Sequence, residues 1–174
     1  MRTPDVQHIA ITLADDTVAV MAFVTAEYGP DGEGGRVAHW QREATQDEVE
    51  MEIAKTSFDA DKLPVKRWAL IDTASVPDDR TYRAAWRHTD KDGFHHDMPH
   101  ARDLHRARLR EARAYLLADL DTAYMRADEA GDAKAKKEIA ARKQELRDVT
   151  SHPDIAKAKT VEQLKKAAAA VVVL

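Results

Sequence analysis

The chain has 174 residues, of which 44% are hydrophobic and 33% charged, with no cysteine and a formal net charge of −4 at pH 7. That size suits a small domain with an appended helical module, and the balance is that of a folded chain rather than a disordered one. Without cysteine, disulfides, thiolate catalysis and cysteine-based zinc sites are excluded.

Gln7 to Leu13 (QHIAITL) and Thr17 to Thr25 (TVAVMAFVT) are alternating, β-branched runs separated by Ala14, Asp15 and Asp16, which predicts a β-hairpin. The glycine-rich stretch Gly29 to Gly35 reads as an exposed connection, and Arg36 to Glu43 as a third strand. Thr45 and Glu48 have the spacing of a capping box, opening a short helix through Lys55 whose apolar side is Val49 and Ile53. Pro64 resets the backbone, and Val65 to Ile71 is a fourth strand. Residues 1–77 therefore read as a small α+β domain, mainly of antiparallel strands.

Asp78 and Asp79 stand where a helix N-cap belongs, ahead of RTYRAAW, in which Tyr82, Ala85 and Trp86 share one side of a short helix. Trp86 is then expected to plug the joint between the front domain and the helical hairpin. Asp90 to Gly93 is a polar turn, and Phe94 to His96 a short extended stretch that closes a connecting segment, residues 78–97.

Asp97 caps a long helix, and two helical stretches, Pro99 to Asp128 and Asp132 to Leu146, are joined by Ala-Gly-Asp. The first carries an apolar stripe at Ala101, His105, Leu109, Ala112, Leu116, Leu120, Ala123 and Ala127, in steps of three or four. The second repeats it more weakly at Ala135, Ile139, Arg142 and Leu146. So short a turn folds the second helix back antiparallel, giving an αα-hairpin over residues 98–150 with an arm about 45 Å long. The first helix has more turns than its partner covers. The stripe near Leu104 and Leu109 is therefore expected to pack on the front domain or on another subunit, and an aspartate at Leu116 to unfold or dissociate the rear half. Pro153 breaks the chain, and Thr160 with Gln163 caps a last helix running into AAAAVVVL, where Val172 and Leu174 read either as a frayed tail or as a plug for a neighbour. Residues 151–174 form this closing segment.

Charge is divided unevenly: residues 1–80 hold 8 Lys/Arg against 16 Asp/Glu, and residues 81–174 hold 19 against 15. An acidic front and a basic rear suit head-to-tail docking, although helix-rich segments also simply collect Lys and Arg. The first apolar run follows no basic leader, and Ala167 to Leu174 is far short of the roughly 20 residues of a bilayer span, so a soluble chain with no membrane partner is expected.

Little in the sequence points to reaction chemistry. His95, His96, His100 and His105 lie close together, but their spacing splits them over different faces and no glutamate interleaves them, so no metal site is expected. The pairs Asp78/Asp79 and Asp119/Asp121 suit a helix end and a wet surface better than a cleft, and Ser57, Ser75 and Ser151 lack a nucleophile setting. The loop GPDGEGG matches no phosphate-binding pattern. Arg102, Arg106, Arg110 and Arg113 form a basic stripe, diluted by Asp103 and Glu111 and lacking aromatic residues for stacking, which reads as a solvated face rather than a nucleic-acid surface. No catalytic residue and no cofactor are expected.

The strings DDRTYRAAWRHTDKDG (Asp78 to Gly93), ARDLHRARLREAR (Ala101 to Arg113), LDTAYMRADEAGD (Leu120 to Asp132) and KQELRDVTSHP (Lys143 to Pro153) resemble a C-terminal module of phage and prophage tail-region proteins. These include the tail fibre assembly and tail assembly chaperone kind, in which a helical hairpin ends in an LRD-type string. The resemblance spans about half the chain, Asp78 to Lys166. This chain departs from it in ending AAAAVVVL, without Trp or Pro, and in carrying an α+β domain ahead of the module. The resemblance implies a structural component of a tailed-phage virion, in the tail, neck or fibre-attachment region, that is homo-oligomeric and binds other phage structural proteins. The alternative is a fibre assembly chaperone of the host cytoplasm, absent from the mature particle. The positions it marks are Arg80, Arg83 and Trp86, and Leu146, Arg147 and Asp148, with Asp148 placed to cap the helix or pair with Arg80 or Arg83. Leu104, Leu109, Leu116, Val172 and Leu174 join them as apolar contact candidates.

Overall fold

A computed structural model describes residues 6–24, 26–30, 36–41, 45–55, 64–169 and 171–172. The chain is α+β and divides into two compact units, Met1–His95 and His96–Leu174. Residues 78–95 thus belong to the first unit and residues 151–172 to the second, where the sequence suggested separate connecting and closing segments.

In the first unit, β1 (Val6–Leu13) lies between β2 (Val18–Val24) and β5 (Val65–Ile71), antiparallel to both. The hairpin between β1 and β2 turns on Asp16, held at φ 65, a left-handed conformation that a short polar side chain tolerates. Asp15 accepts hydrogen bonds from the Thr17 amide at 2.9 Å and hydroxyl at 2.6 Å, which hold its carboxyl below the usual carboxylate range. Strand alternation sends Ile9 and Ile11 to one face, where they pack with Val49 of α1 (Gln46–Lys55), and Ala10 to the other, with Val18 and Trp86. The capping box at α1 is present, with the Thr45 amide 2.9 Å from the Glu48 carboxylate and the Glu48 amide donating to the Thr45 hydroxyl. A separate two-stranded ladder pairs β3 (Ala26–Pro30) with β4 (Arg36–Gln41), so Gly29 and Pro30 end a strand rather than open a loop. Residues 31–35, Thr25 and Glu43 lie outside the described residues.

Residues 78–89 depart most from expectation. Asp79 accepts from the Thr81 amide at 3.0 Å, but only a single 3-10 turn, Arg83–Ala85, comes before β6 (Trp86–Thr89). β6 pairs with β7 (Gly93–His96) through a turn in which Gly93 takes φ +61. The short helix does not form because Trp86 goes to the sheet instead: it is 1% exposed, packs with Ala10 and Val18, and meets Phe94 edge to face at 5.7 Å. Trp86 is thus core of the first unit, not a plug at a joint.

The second unit is helical. α2 (Met98–Glu129) opens with the Asp97 carboxylate accepting from the His100 amide at 3.2 Å, and with Pro99 in its first turn. It closes at Gly131, φ +68, where the Asp132 amide reaches back to the Ala127 carbonyl at 2.9 Å. Asp132 in turn caps α3 (Ala133–Asp148) through the Ala135 amide. Ion pairs Lys136–Asp128 and Lys143–Asp121 mark the antiparallel register of the two helices. A 3-10 turn, Val149–Ser151, leads to α4 (Pro153–Lys157) and α5 (Val161–Lys166). Thr160 caps α5 as expected, but α5 stops at Lys166 instead of running on, because Ala167 is extended and Ala168 takes φ 60.

At 32 residues α2 is about 48 Å long and the 16 residues of α3 about 24 Å, so α3 covers half of it. The other half is covered from within the unit: α5 and the turn Val149–Ser151 pack on α2, and Ala101, His105 and Leu109 have no exposed surface. Along this returning stretch Ile155, Ala158, Val161, Leu164 and Ala167 are buried, at every third position. Leu109 therefore packs inside its own unit.

Leu146 is fully buried between the helices whereas Leu116, on the same stripe as Leu109, is 37% exposed. Leu116 reaches solvent, so an aspartate there keeps its carboxylate in water and the burial cost expected from periodicity does not arise within the unit. We expect Leu146→Ala to lower stability by about 2–5 kcal/mol in a denaturant titration and Leu116→Asp by only about 1 kcal/mol.

Candidate interaction surface

Among the described residues of the second unit, the large apolar side chains left in solvent lie on α2: Tyr115 is 76% exposed, Met125 64% and Leu116 37%. Lys136 and Lys143 of α3 reach across to Asp128 and Asp121 and also stand over the Tyr124 ring, at 5.5 and 5.3 Å from its centre. Arg113 points at the C-terminus of α3, donating to the Leu146 carbonyl at 3.1 Å and the Arg147 carbonyl at 2.6 Å. Those are carbonyls that a helix end leaves without partners, so the guanidinium both satisfies them and suits the negative end of the dipole.

The residues marked by sequence separate into two groups. Trp86, Leu109, Leu146 and Val172 are buried in their own units, and so do not offer a contact face. Arg80, Arg83, Arg147 and Asp148 are exposed, Leu104 is half-buried, and Leu174 lies outside the described residues. Asp148 accepts from the Gln144 side-chain amide at 2.9 and 3.0 Å, one turn back on its own helix, and makes no side-chain cap to the 3-10 turn after it. Tyr115 and Met125 escape a reading by periodicity because the stripe points inward. The signal that finds them is the reverse one, large apolar residues off the stripe.

The basic stripe is largely spent inside the unit. Arg102 donates to the Ala158 carbonyl at 2.9 Å, Arg106 pairs with Asp103 at 2.7 Å, and Arg113 holds the end of α3, leaving Arg110 exposed. The histidines also diverge. His105 is buried with Nε2 3.0 Å from the Ala167 carbonyl oxygen, while His95 is exposed with Nδ1 3.3 Å from the Gly93 oxygen. Among the described residues no group of three or more His, Asp or Glu is arranged to hold a metal ion, and no helix is long and apolar enough to cross a membrane. In the first unit an open groove of about 600 Å³ runs between α1 and β5, walled by Ile53, Val65 and Trp68. Its cations are engaged, Lys66 with Asp16 at 2.7 Å and Arg67 with Asp90 at 2.8 Å and the His88 carbonyl. Burial, aided by the Arg67 charge, pushes the His88 imidazole below its ordinary value.

Comparison with known proteins returns no matching family model, no matching curated protein and no matching solved structure.

Arg113→Met keeps the stem of the side chain and removes both bonds to the end of α3. The expected loss is about 1–2 kcal/mol, read as a lower melting temperature with unchanged helical circular dichroism at ~20 °C.

Proposed function

We propose that this chain is a structural component of a tailed-phage particle, working through contacts between proteins in the tail, neck or fibre-attachment region. The observation that carries the contact reading is the exposure of Tyr115, Leu116 and Met125 on α2. A tyrosine and a methionine are efficient contact makers, since one brings a rigid ring with a polar tip and the other an adaptable apolar chain. A helix pinned along one side by α3 presents Tyr115 and Met125, which lie off the inward stripe, without further ordering, which lowers the entropic cost of association. The phage context rests on the resemblance of Asp78–Gly93, Ala101–Arg113, Leu120–Asp132 and Lys143–Pro153 to tail-region modules. On this reading the chain acts by binding, as a homo-oligomer with other phage structural proteins, and not by catalysis.

Mass spectrometry of purified particles tests the assignment. The chain is expected in the particle in repeated copies, and a Tyr115→Glu, Met125→Glu double variant, folded by circular dichroism, is expected to be missing from it. A chain bound to fibre proteins in the infected cell but absent from particles is instead an assembly chaperone. Absence from both contradicts the proposal.

A further inference from the structure

The inward stripe of α2 has a counterpart on the opposite side. Ala118 and Thr122 each lie two positions from Leu120, about 200° round the helix, and Tyr115 and Met125 continue their line at its two ends. The run Tyr115, Ala118, Thr122, Met125 steps by three, four and three residues, the spacing of a seam that a second helix covers. All four residues are exposed. The hydroxyl in the middle needs no outside partner, because Thr122 donates to the Ala118 carbonyl one turn back at 3.3 Å. The seam is about 15 Å long and faces away from α3, whose lysines mark the inward side.

The charges beside the seam indicate what covers it. On one flank, Asp121 and Asp128 are engaged by Lys143 and Lys136 of α3. On the other flank, Asp119 and Arg126 are exposed, and among the described residues neither joins an ion pair. They stand two turns apart, about 10 Å along the axis, and so do not serve one another. A face with an unpaired anion and an unpaired cation on the same flank is complementary to its own antiparallel copy.

We propose that this seam pairs with the same seam of a second copy of the chain, antiparallel, about a two-fold axis midway between Ala118 and Thr122. The axis sets Tyr115 of one copy level with Met125 of the other, ring against thioether, and Ala118 level with Thr122. Asp119 and Arg126 of the second copy then lie about 7 Å apart along the helices. Side chains tilt toward their own helix N-terminus, so these two lean toward each other while the two Asp119 lean apart. One step beyond the seam, Glu111 of one copy meets Glu129 of the other, and that repulsion at both rims ends the contact. A parallel pair sets Asp119 against Ala114 and Arg126 against Asp121, which Lys143 already holds. Two seams of this length fall at the small end of specific interfaces, so the pair is a weak one that forms where copies are concentrated. This pairing rests on the contact reading of α2 above and names a second copy as the partner.

Because the chain has no cysteine, introduced thiols report the pairing directly. Under mild oxidation, an equimolar mixture of the single variants Tyr115→Cys and Met125→Cys is expected to give a cross-linked dimer, since the two positions face each other. Either variant alone holds its two thiols about 15 Å apart along the helices and is expected to cross-link roughly tenfold more slowly. Sedimentation of the full chain over a concentration series reads the charges, each variant being matched to the wild type by circular dichroism. Asp119→Arg is expected to weaken association several-fold, the addition of Arg126→Asp to restore it, and Glu129→Lys to tighten it. Single variants that cross-link as fast as the mixture, a chain that stays monomeric throughout, or a double exchange no better than Asp119→Arg alone overturns the pairing. A monomeric chain whose Tyr115→Glu, Met125→Glu variant is still lost from particles overturns the pairing and leaves the contact reading in place. A dimer formed by a chain absent from particles supports the pairing and contradicts the phage assignment.

Discussion

The second unit is built around a mismatch of lengths. A 32-residue helix paired with a 16-residue helix leaves about half of an apolar stripe without a partner, and bare apolar surface in water disfavours the folded state by roughly 25 cal/mol for every Å². The chain resolves this itself. After α3 it turns at Val149–Ser151 and comes back along the uncovered half, so the stripe is closed by two successive segments of one polypeptide. The antiparallel hairpin, the buried histidine and the placement of the arginines all depend on that return.

Polar groups obey the same logic. The returning segment is too short to form long helices, and α4 and α5 have 5 and 6 residues. Most of their backbone carbonyls thus lack the partners that a long helix would supply. Arg102, His105, Arg113 and Arg142 each donate from α2 or α3 to a main-chain carbonyl at or beyond the end of α3. A stripe that reads in the sequence as basic and open to an outside ligand is in good part the means by which short segments are fastened to long ones. The side chains left out of this arrangement, Tyr115 and Met125 above all, are those with no inward task.

Local signals are legible wherever a short-range rule decides the outcome. Thr45 with Glu48, Asp97 and Thr160 cap helices where their spacing says they should, because a cap needs only the next three residues. Strands β1, β2 and β5 come from alternation, and the αα-hairpin from periodicity broken at Gly131. Tyr82 to Trp86 misleads because three apolar residues at helical spacing look alike whether they cover a helix or enter a sheet, and the sheet that buries Trp86 is assembled from residues far away in sequence. The segment that returns along α2 misleads for a similar reason. Ile155, Ala158, Val161, Leu164 and Ala167 recur every three residues, a spacing that fits neither a long helix nor a strand, and its purpose appears only with the bare half of α2 beside it. Of the interaction candidates, exposed and buried positions are mixed because periodicity gives the face of a helix and not the element that lies against it.

The fold of the second unit rests on the N-terminal half of α2 being covered by its own chain rather than by a neighbour. An isotope-filtered NOE experiment on a mixture of labelled and unlabelled protein separates the two directly. Cross-peaks from the His105 ring to Ala167 are expected within one molecule, with none between molecules. The same cross-peaks between molecules, or a His105 ring that exchanges magnetisation with water and shows no contact to Ala167, contradict it.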